Sequence, residues 1–120
     1  MQFPKDDKNY KWTSHIKNKM VFYRISPQII KNILNTPDRR EIGIAPNTMA
    51  VMKRRDTPKR KEEMWVMYAR PNQKSKIKIK KLLNSKIILI STWRYPGVTK
   101  KGKNIPIPED VLQDIQEWMK

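Results

Sequence analysis

The spacing of the apolar residues changes near residue 42, and this change limits the chain to a fold in which helices precede strands. In the first part, apolar residues recur at three- and four-residue spacing, as on one side of a helix: Trp12, Ile16, Met20 and Tyr23. This pattern predicts a first helix with Thr13 or Ser14 as its N-cap. A second helix is predicted from Ser26-Pro27, a hydroxyl cap followed by Pro at the first helical position, to Thr36-Pro37.

After residue 42 the pattern is typical of strands. Strands are predicted at residues 48–53, within residues 61–70, and at residues 84–94, where a continuous apolar run is too short and too β-branched for a helix. Residues 76–80 alternate Lys and Ile, so they either extend a hairpin as a fourth strand or form a basic loop. The short connections between strands favour an antiparallel meander.

A last helix is predicted to begin at Pro108, with Glu109 and Asp110 in its first turn, where their charges complement the helix dipole. The whole pattern predicts an α+β fold with two N-terminal helices, a three- to four-stranded antiparallel sheet and a C-terminal helix. We expect residues 1–11 to form a flexible lead-in and residues 12–120 to form a single domain. We also expect the helices to cover one face of the sheet, and the other face to be partly shielded or used.

The chain is strongly basic, with 27 Lys and Arg against 11 Asp and Glu and a formal net charge of +16 over 120 residues. A field of this size attracts nucleic acid, so RNA is the predicted partner. A solvated surface, an anionic membrane and an acidic protein are the alternative interpretations. The absence of Cys and of any long apolar stretch predicts a cytoplasmic protein without disulfides.

No cofactor or metal is predicted. Metal-dependent nucleases use several converging carboxylates, whereas the acidic residues here fall at positions expected to face solvent, Glu62 and Glu63 among them. The single His and the absence of Cys leave no zinc site. The three glycines are isolated, so no phosphate-binding loop is present.

Three stretches carry a resemblance to a known family. The run His15 to Met20 (HIKNKM), the entry Arg24 to Pro27 (RISP) and the strand Lys86 to Arg94 (KIILISTWR) resemble bacterial domains related to the RelE/ParE and BrnT toxin superfamily. The resemblance covers residues 12–95. The chain departs from the family in a tail over residues 96–120 and in a very basic segment between the last two strands.

The resemblance implies a function. Members of that superfamily cleave RNA, often on the ribosome, or inhibit gyrase, and the toxins pair with antitoxins. The resemblance therefore implies a metal-independent endoribonuclease acting on RNA, ribosome-associated mRNA included, with the ribosome and an acidic antitoxin protein as partners. One alternative is a non-catalytic RNA-binding or ribosome-associated protein. Another is a DNA-binding regulator, which is disfavoured because the sequence shows no recognition-helix signature.

Three residues are the candidates for catalysis. Metal-free RNA cleavage needs a group that deprotonates the 2′-hydroxyl, cations that stabilise the phosphorane and a donor for the leaving oxygen. His15 suits acid–base chemistry because its ordinary pKa lies near neutrality. Arg94, at a predicted strand end and followed by Tyr95, suits bidentate phosphate binding. The alternatives are a half-buried His15 that packs the first helix and an Arg94 paired with Glu41 or Glu63.

The other candidates are basic residues predicted to contact phosphates: Arg24, Arg39, Arg40, Arg54, Arg55, Lys74, Lys76, Lys78, Lys80 and Lys81. If the first strand continues, Arg54 and Arg55 point to opposite sides of the sheet. Trp65, Tyr68 and Trp93 either stack on bases or belong to the core.

Overall fold

The computed structural model describes residues 3, 5, 9–70, 87–102 and 104–120. Within them the chain forms an α+β fold, as predicted. The elements follow one another in this order: β1 (Tyr10–Trp12), α1 (Ser14–Tyr23), α2 (Pro27–Asn35), β2 (Arg39–Ile42), β3 (Thr48–Arg54), β4 (Glu62–Ala69), β5 (Ile87–Pro96) and α3 (Glu109–Trp118).

The helix starts follow from local capping. The Thr13 hydroxyl accepts a hydrogen bond from the amide of Ile16 and so begins α1, while the Ser26 hydroxyl does the same for Ile29 at the start of α2. Pro27 is the first residue of α2, where its missing N–H costs nothing. All three predicted helices are confirmed, although Pro108 is the N-cap of α3 and not its first residue.

The sheet has five strands in the order β1-β5-β4-β3-β2, and it is mixed. The prediction of three or four antiparallel strands is therefore wrong in two respects. Tyr10 and Lys11, assigned to a flexible lead-in, belong to β1, which pairs in parallel with β5. Strand β2 lies in a charged stretch without strand-like alternation, and it is held by antiparallel pairing with β3.

Helices cover both faces of the sheet, and the second face, expected to be partly shielded or used, is shielded by α3. One face packs against α1 and α2, with Ile16, Met20 and Ile30 over Val66 and Leu89; we call it the N-terminal face. The other packs against α3 and the segment before it; we call it the C-terminal face. The alternation of β4 residues between two apolar clusters explains why almost all of that strand is buried.

A β-bulge in β5 changes which residues share a face. Met67 pairs with Ser91, but Tyr68 pairs with Leu89, so Ile90 is an extra residue without a partner on β4. Ile90 therefore packs on the C-terminal face. A strict two-residue period would place Arg94 on one face with Thr92, Ile90 and Ile88. Because the bulge breaks this period, Thr92 shares the face of Arg94 whereas Ile90 and Ile88 lie on the other face.

Charged side chains join α1 to α3. The Lys19 ammonium lies 2.9 Å from Asp110 and 3.5 Å from Asp114. The Tyr23 hydroxyl donates to both oxygens of Asp110, and burial together with this carboxylate raises the pKa of Tyr23. Burial opposes the charge of Lys19, yet its hydrogen bond to Asp110 and the nearby charge of Asp114 raise the pKa overall.

No helix in the described ranges is long and apolar enough to cross a membrane.

We predict that Thr13→Ala lowers the free energy of unfolding by about 1–2 kcal/mol. The Thr13 hydroxyl caps α1 and donates to the carbonyl of Leu89 at 2.7 Å, so it also fastens the helix start to β5. Urea denaturation followed by tryptophan fluorescence measures the change. Ser14→Ala is the matched control, since the neighbouring Ser14 hydroxyl is exposed and should contribute little; equal losses from both variants would contradict the assignment of the cap.

Candidate nucleic-acid interface

His15 lies at the start of α1 and faces α3. Its Nδ1 atom is 3.3 Å from an oxygen of Asp114, and its Nε2 atom is 3.8 Å from an oxygen of Glu117. About a quarter of the side chain is exposed. Both ring nitrogens therefore approach carboxylates of the C-terminal helix, which is the packing alternative that the sequence left open.

Arg94 caps the C-terminal end of α1. Its Nε atom donates to the carbonyl of Tyr23 at 2.6 Å, and a terminal nitrogen donates to the carbonyl of Arg24 at 2.9 Å. The other terminal nitrogen lies 2.5 Å from an oxygen of Glu62. Carbonyls at a helix C-terminus lack partners within the helix, so the guanidinium satisfies them and is itself fixed by the carboxylate. Arg94 is a helix cap, and its acidic partner is neither Glu41 nor Glu63.

The side chains of His15, Arg94 and Tyr95 do not converge on one site. His15 and Tyr23 are eight residues apart in α1, which places them about 12 Å apart along the helix axis. Arg94 lies on the N-terminal face with the end of α1, while Tyr95 packs on the C-terminal face beside the Trp65 cluster. The catalytic centre expected from the sequence is therefore not assembled from these three side chains.

Arg39 and Arg54 are also occupied within the fold. Arg39 is 4% exposed, stacks on the ring of Trp65 at 5.2 Å, and donates to Glu41 and to the hydroxyl of Thr99. Arg54 pairs with Asp56 and Glu63 and donates to the carbonyl of Gly97. These pairs lower the pKa of Glu41 and of Asp56, in each case chiefly through the hydrogen bond from the arginine. Neither guanidinium faces solvent freely.

The centre of this network is Glu63, which sequence analysis placed at a solvent position. Its side chain is 0% exposed, and it accepts hydrogen bonds from Arg54, from the indole of Trp65, and from the amide and hydroxyl of Thr99. A buried carboxylate is tolerated only when its oxygens are satisfied in this way. Thr99 belongs to the loop after β5, so Glu63 holds residues 97–102 against the end of the sheet.

The loop brings a second set of cations beside the β3–β4 hairpin. The amide of Gly97 donates to the carbonyl of Lys61, and the amide of Gly102 donates to Glu41. Seven exposed basic residues therefore share one end of the sheet, and we call them the basic rim: Arg40, Arg55, Lys59, Arg60, Lys61, Lys100 and Lys101. None of the seven forms an ion pair with another residue that the structure describes.

The rim includes two of the predicted phosphate-binding residues, Arg40 and Arg55, and several that sequence analysis did not select. Arg40 and Lys101 line one shallow cleft of about 320 Å³. Arg55 follows Arg54 but points to the N-terminal face, where it lines another cleft beside α2. Arg24 is exposed at the end of α1, with its carbonyl bound to Arg94. The predicted contacts at Lys74, Lys76, Lys78, Lys80 and Lys81 lie outside the described residues.

The predicted base-stacking aromatics are core residues. Trp65 and Trp93 are fully buried on the C-terminal face, with their rings parallel at 6.0 Å between centroids, and Tyr68 is buried on the N-terminal face. Among the described residues, no group of three or more His, Asp or Glu side chains could hold a metal ion. The described surface instead presents basic side chains without ion-pair partners in the basic rim.

Compared with models of known protein families, with curated proteins and with solved structures, the chain matches none. The resemblance to the toxin superfamily thus stays a prediction. Inferences about function depend on the geometry of the chain itself.

We predict that Glu63→Gln lowers the free energy of unfolding by about 3 kcal/mol, because the amide nitrogen of glutamine cannot accept the hydrogen bonds that the buried carboxylate accepts from Arg54, Trp65 and Thr99. Thermal and urea unfolding provide the measurement. Asp56→Asn is the matched control: it removes the exposed carboxylate from the same Arg54 and should have a much smaller effect. If the two variants are equally destabilised, Glu63 is not the centre of the network.

Proposed function

We propose that the chain is an RNA-binding module that holds the phosphate backbone with the basic rim. The observation that carries the proposal is the separation of charge at this end of the sheet. The acidic side chains Glu41, Asp56, Glu62 and Glu63 pair with Arg39, Arg54 and Arg94 within the fold. The seven cations of the rim form no ion pair with a described residue, although Lys61 and Lys101 help to lower the pKa of Asp56 and of Glu41. The exposed carboxylate of Asp38, beside Arg40 and Lys101, accepts a hydrogen bond from the amide of Arg54, so the rim keeps an excess of positive charge.

Exposed cations without ion-pair partners contribute more to binding a polyanion than to the stability of the fold. An unpaired surface Lys or Arg contributes little to stability. Each one that contacts a phosphate releases condensed counterions, which is the main source of affinity for nucleic acid. The rim spans a hairpin and a loop and contains no helix that could enter a DNA groove, which favours RNA over duplex DNA.

Helix α3 differs in charge from the rim. Helix α3 presents Glu109 and Glu117 to solvent, and its Asp110 and Asp114 bind Lys19 and His15. A polyanion approaching the molecule is therefore directed away from α3 and towards the rim. We infer a single orientation of binding from this asymmetry.

A ribonuclease function would require catalytic residues other than His15, Arg94 and Tyr95. His15 faces two carboxylates and Arg94 caps a helix, so each has a structural role that explains its position. RNA binding without cleavage accounts for the described surface with fewer assumptions. A cleavage assay keeps the two activities apart.

We predict that Arg55→Gln, Arg60→Gln and Lys101→Gln in one chain weaken binding to single-stranded RNA. They also flatten the dependence of log K on log salt by roughly 2, since each lost phosphate contact contributes about 0.7. Fluorescence anisotropy across a salt series measures both quantities. The matched control, Lys11→Gln, Lys17→Gln and Lys120→Gln, removes the same charge away from the rim and should retain most of the slope.

Three outcomes would contradict the proposal. Equal loss of affinity in both triple variants would show that net charge, and not the rim, attracts the RNA. Cleavage of the RNA by the wild type in EDTA would favour the ribonuclease instead, and His15→Ala and Arg94→Ala would then be assayed for loss of cutting. Tighter binding to duplex DNA than to RNA would assign the rim to a different nucleic acid.

A further inference from the structure

A small cleft opens between α2 and the end of β3, and it adjoins the basic rim. Its volume is about 150 Å³, and its lining includes Ile29, Asn32, Ile33, Lys53, Arg55 and Met64. Arg55 belongs both to this cleft and to the rim. A group seated in the cleft would therefore lie directly beside the cations that contact phosphates.

The cleft has an apolar floor and a polar mouth. Ile33 and Met64 are almost fully buried, so they form a fixed apolar surface below the opening. At the mouth, the exposed amide of Asn32 bonds only to Gln28 within the described chain, and it retains free N–H donors. An apolar pocket with a few polar groups at its edge is typical of a site for a small planar ligand.

Lys53 fixes one wall of the cleft. Its ammonium donates to the carbonyl of Thr36 at 2.9 Å and to the Thr36 hydroxyl at 2.7 Å, which satisfies the C-terminal end of α2. The distance between α2 and β3 is thus held by a hydrogen-bonded side chain. Arg55, which has no ion-pair partner among the described residues, is left to bind a ligand.

The volume limits what can enter. An apolar cavity of about 150 Å³ accommodates one benzene-sized ring. A six-membered pyrimidine ring matches this space, whereas a purine would leave one of its two rings outside the open cleft.

We propose that this cleft takes one unpaired pyrimidine base of the bound RNA, with the adjoining phosphate on Arg55. The inference rests on the proposed function and narrows it to single-stranded or looped RNA, because a base within a duplex is stacked on both faces and cannot reach the floor. The amide of Asn32 faces the polar edge of the base. The rest of the rim holds neighbouring phosphates.

The experiment uses the full chain and short RNA strands whose bases have been removed. One strand lacks every base, a second retains one central uridine, and a third retains one central adenosine, so all carry the same phosphates. We expect the uridine to tighten binding by about tenfold, the size expected for burying one ring against apolar side chains. The adenosine should add much less.

Asn32→Leu should abolish the gain from uridine, because leucine fills the mouth and removes the amide. The same variant should bind the strand without bases as the wild type does, and this affinity together with the unfolding midpoint reports that the fold and rim are intact. Asn35→Leu is the matched control, since Asn35 is exposed on the same helix but does not line the cleft. It should keep the full gain.

The possible results separate the two proposals. If the wild type binds the strand without bases in a salt-dependent way but gains nothing from uridine, the cleft is overturned and the rim is retained. An equal gain from adenosine, or a gain that survives Asn32→Leu, also overturns the cleft. If no strand binds, both the RNA-binding function and the cleft are overturned.

Discussion

The buried carboxylate of Glu63 is the interaction on which the functional end of this molecule depends. It lies at the start of the central strand β4, where water cannot reach it, and its oxygens are satisfied by Arg54, by the indole of Trp65 and by Thr99. Since Thr99 comes from the loop after β5, 36 residues further along the chain, the carboxylate joins the β3–β4 hairpin to that loop. Without it, the cations of that loop would have no fixed position relative to the β3–β4 hairpin.

Pairing within the fold decides which charges the protein presents to its surroundings. Arginines near the sheet end form two groups: those that pair with carboxylates or cap a helix, such as Arg39 and Arg94, and those without acidic partners, such as Arg40 and Arg55. The first group stabilises the loop and the end of α1. The second leaves a surface of one sign, which repels a second copy of the chain and attracts a polyanion.

Such a division cannot be recovered from the local sequence. Arg39 and Arg40 are adjacent, yet one lies under the loop beside Trp65 and the other is exposed, because neighbouring residues of a strand point to opposite faces. Arg94 looked suited to catalysis because it ends a strong strand, but its partners are the carbonyls of Tyr23 and Arg24, about seventy residues earlier in the chain. The charge itself was evident from composition, whereas its location was not.

The sequence by itself determined the helices and the three long strands, since caps, prolines and apolar periods act over a few residues. It also determined the net charge. The tertiary structure alone decided the parallel pairing of β1 with β5, the bulge at Ile90 and the position of α3 on the second face of the sheet. These features depend on contacts between residues far apart in the chain, where the free energy of packing both faces of the sheet outweighs the weak local preference of each segment.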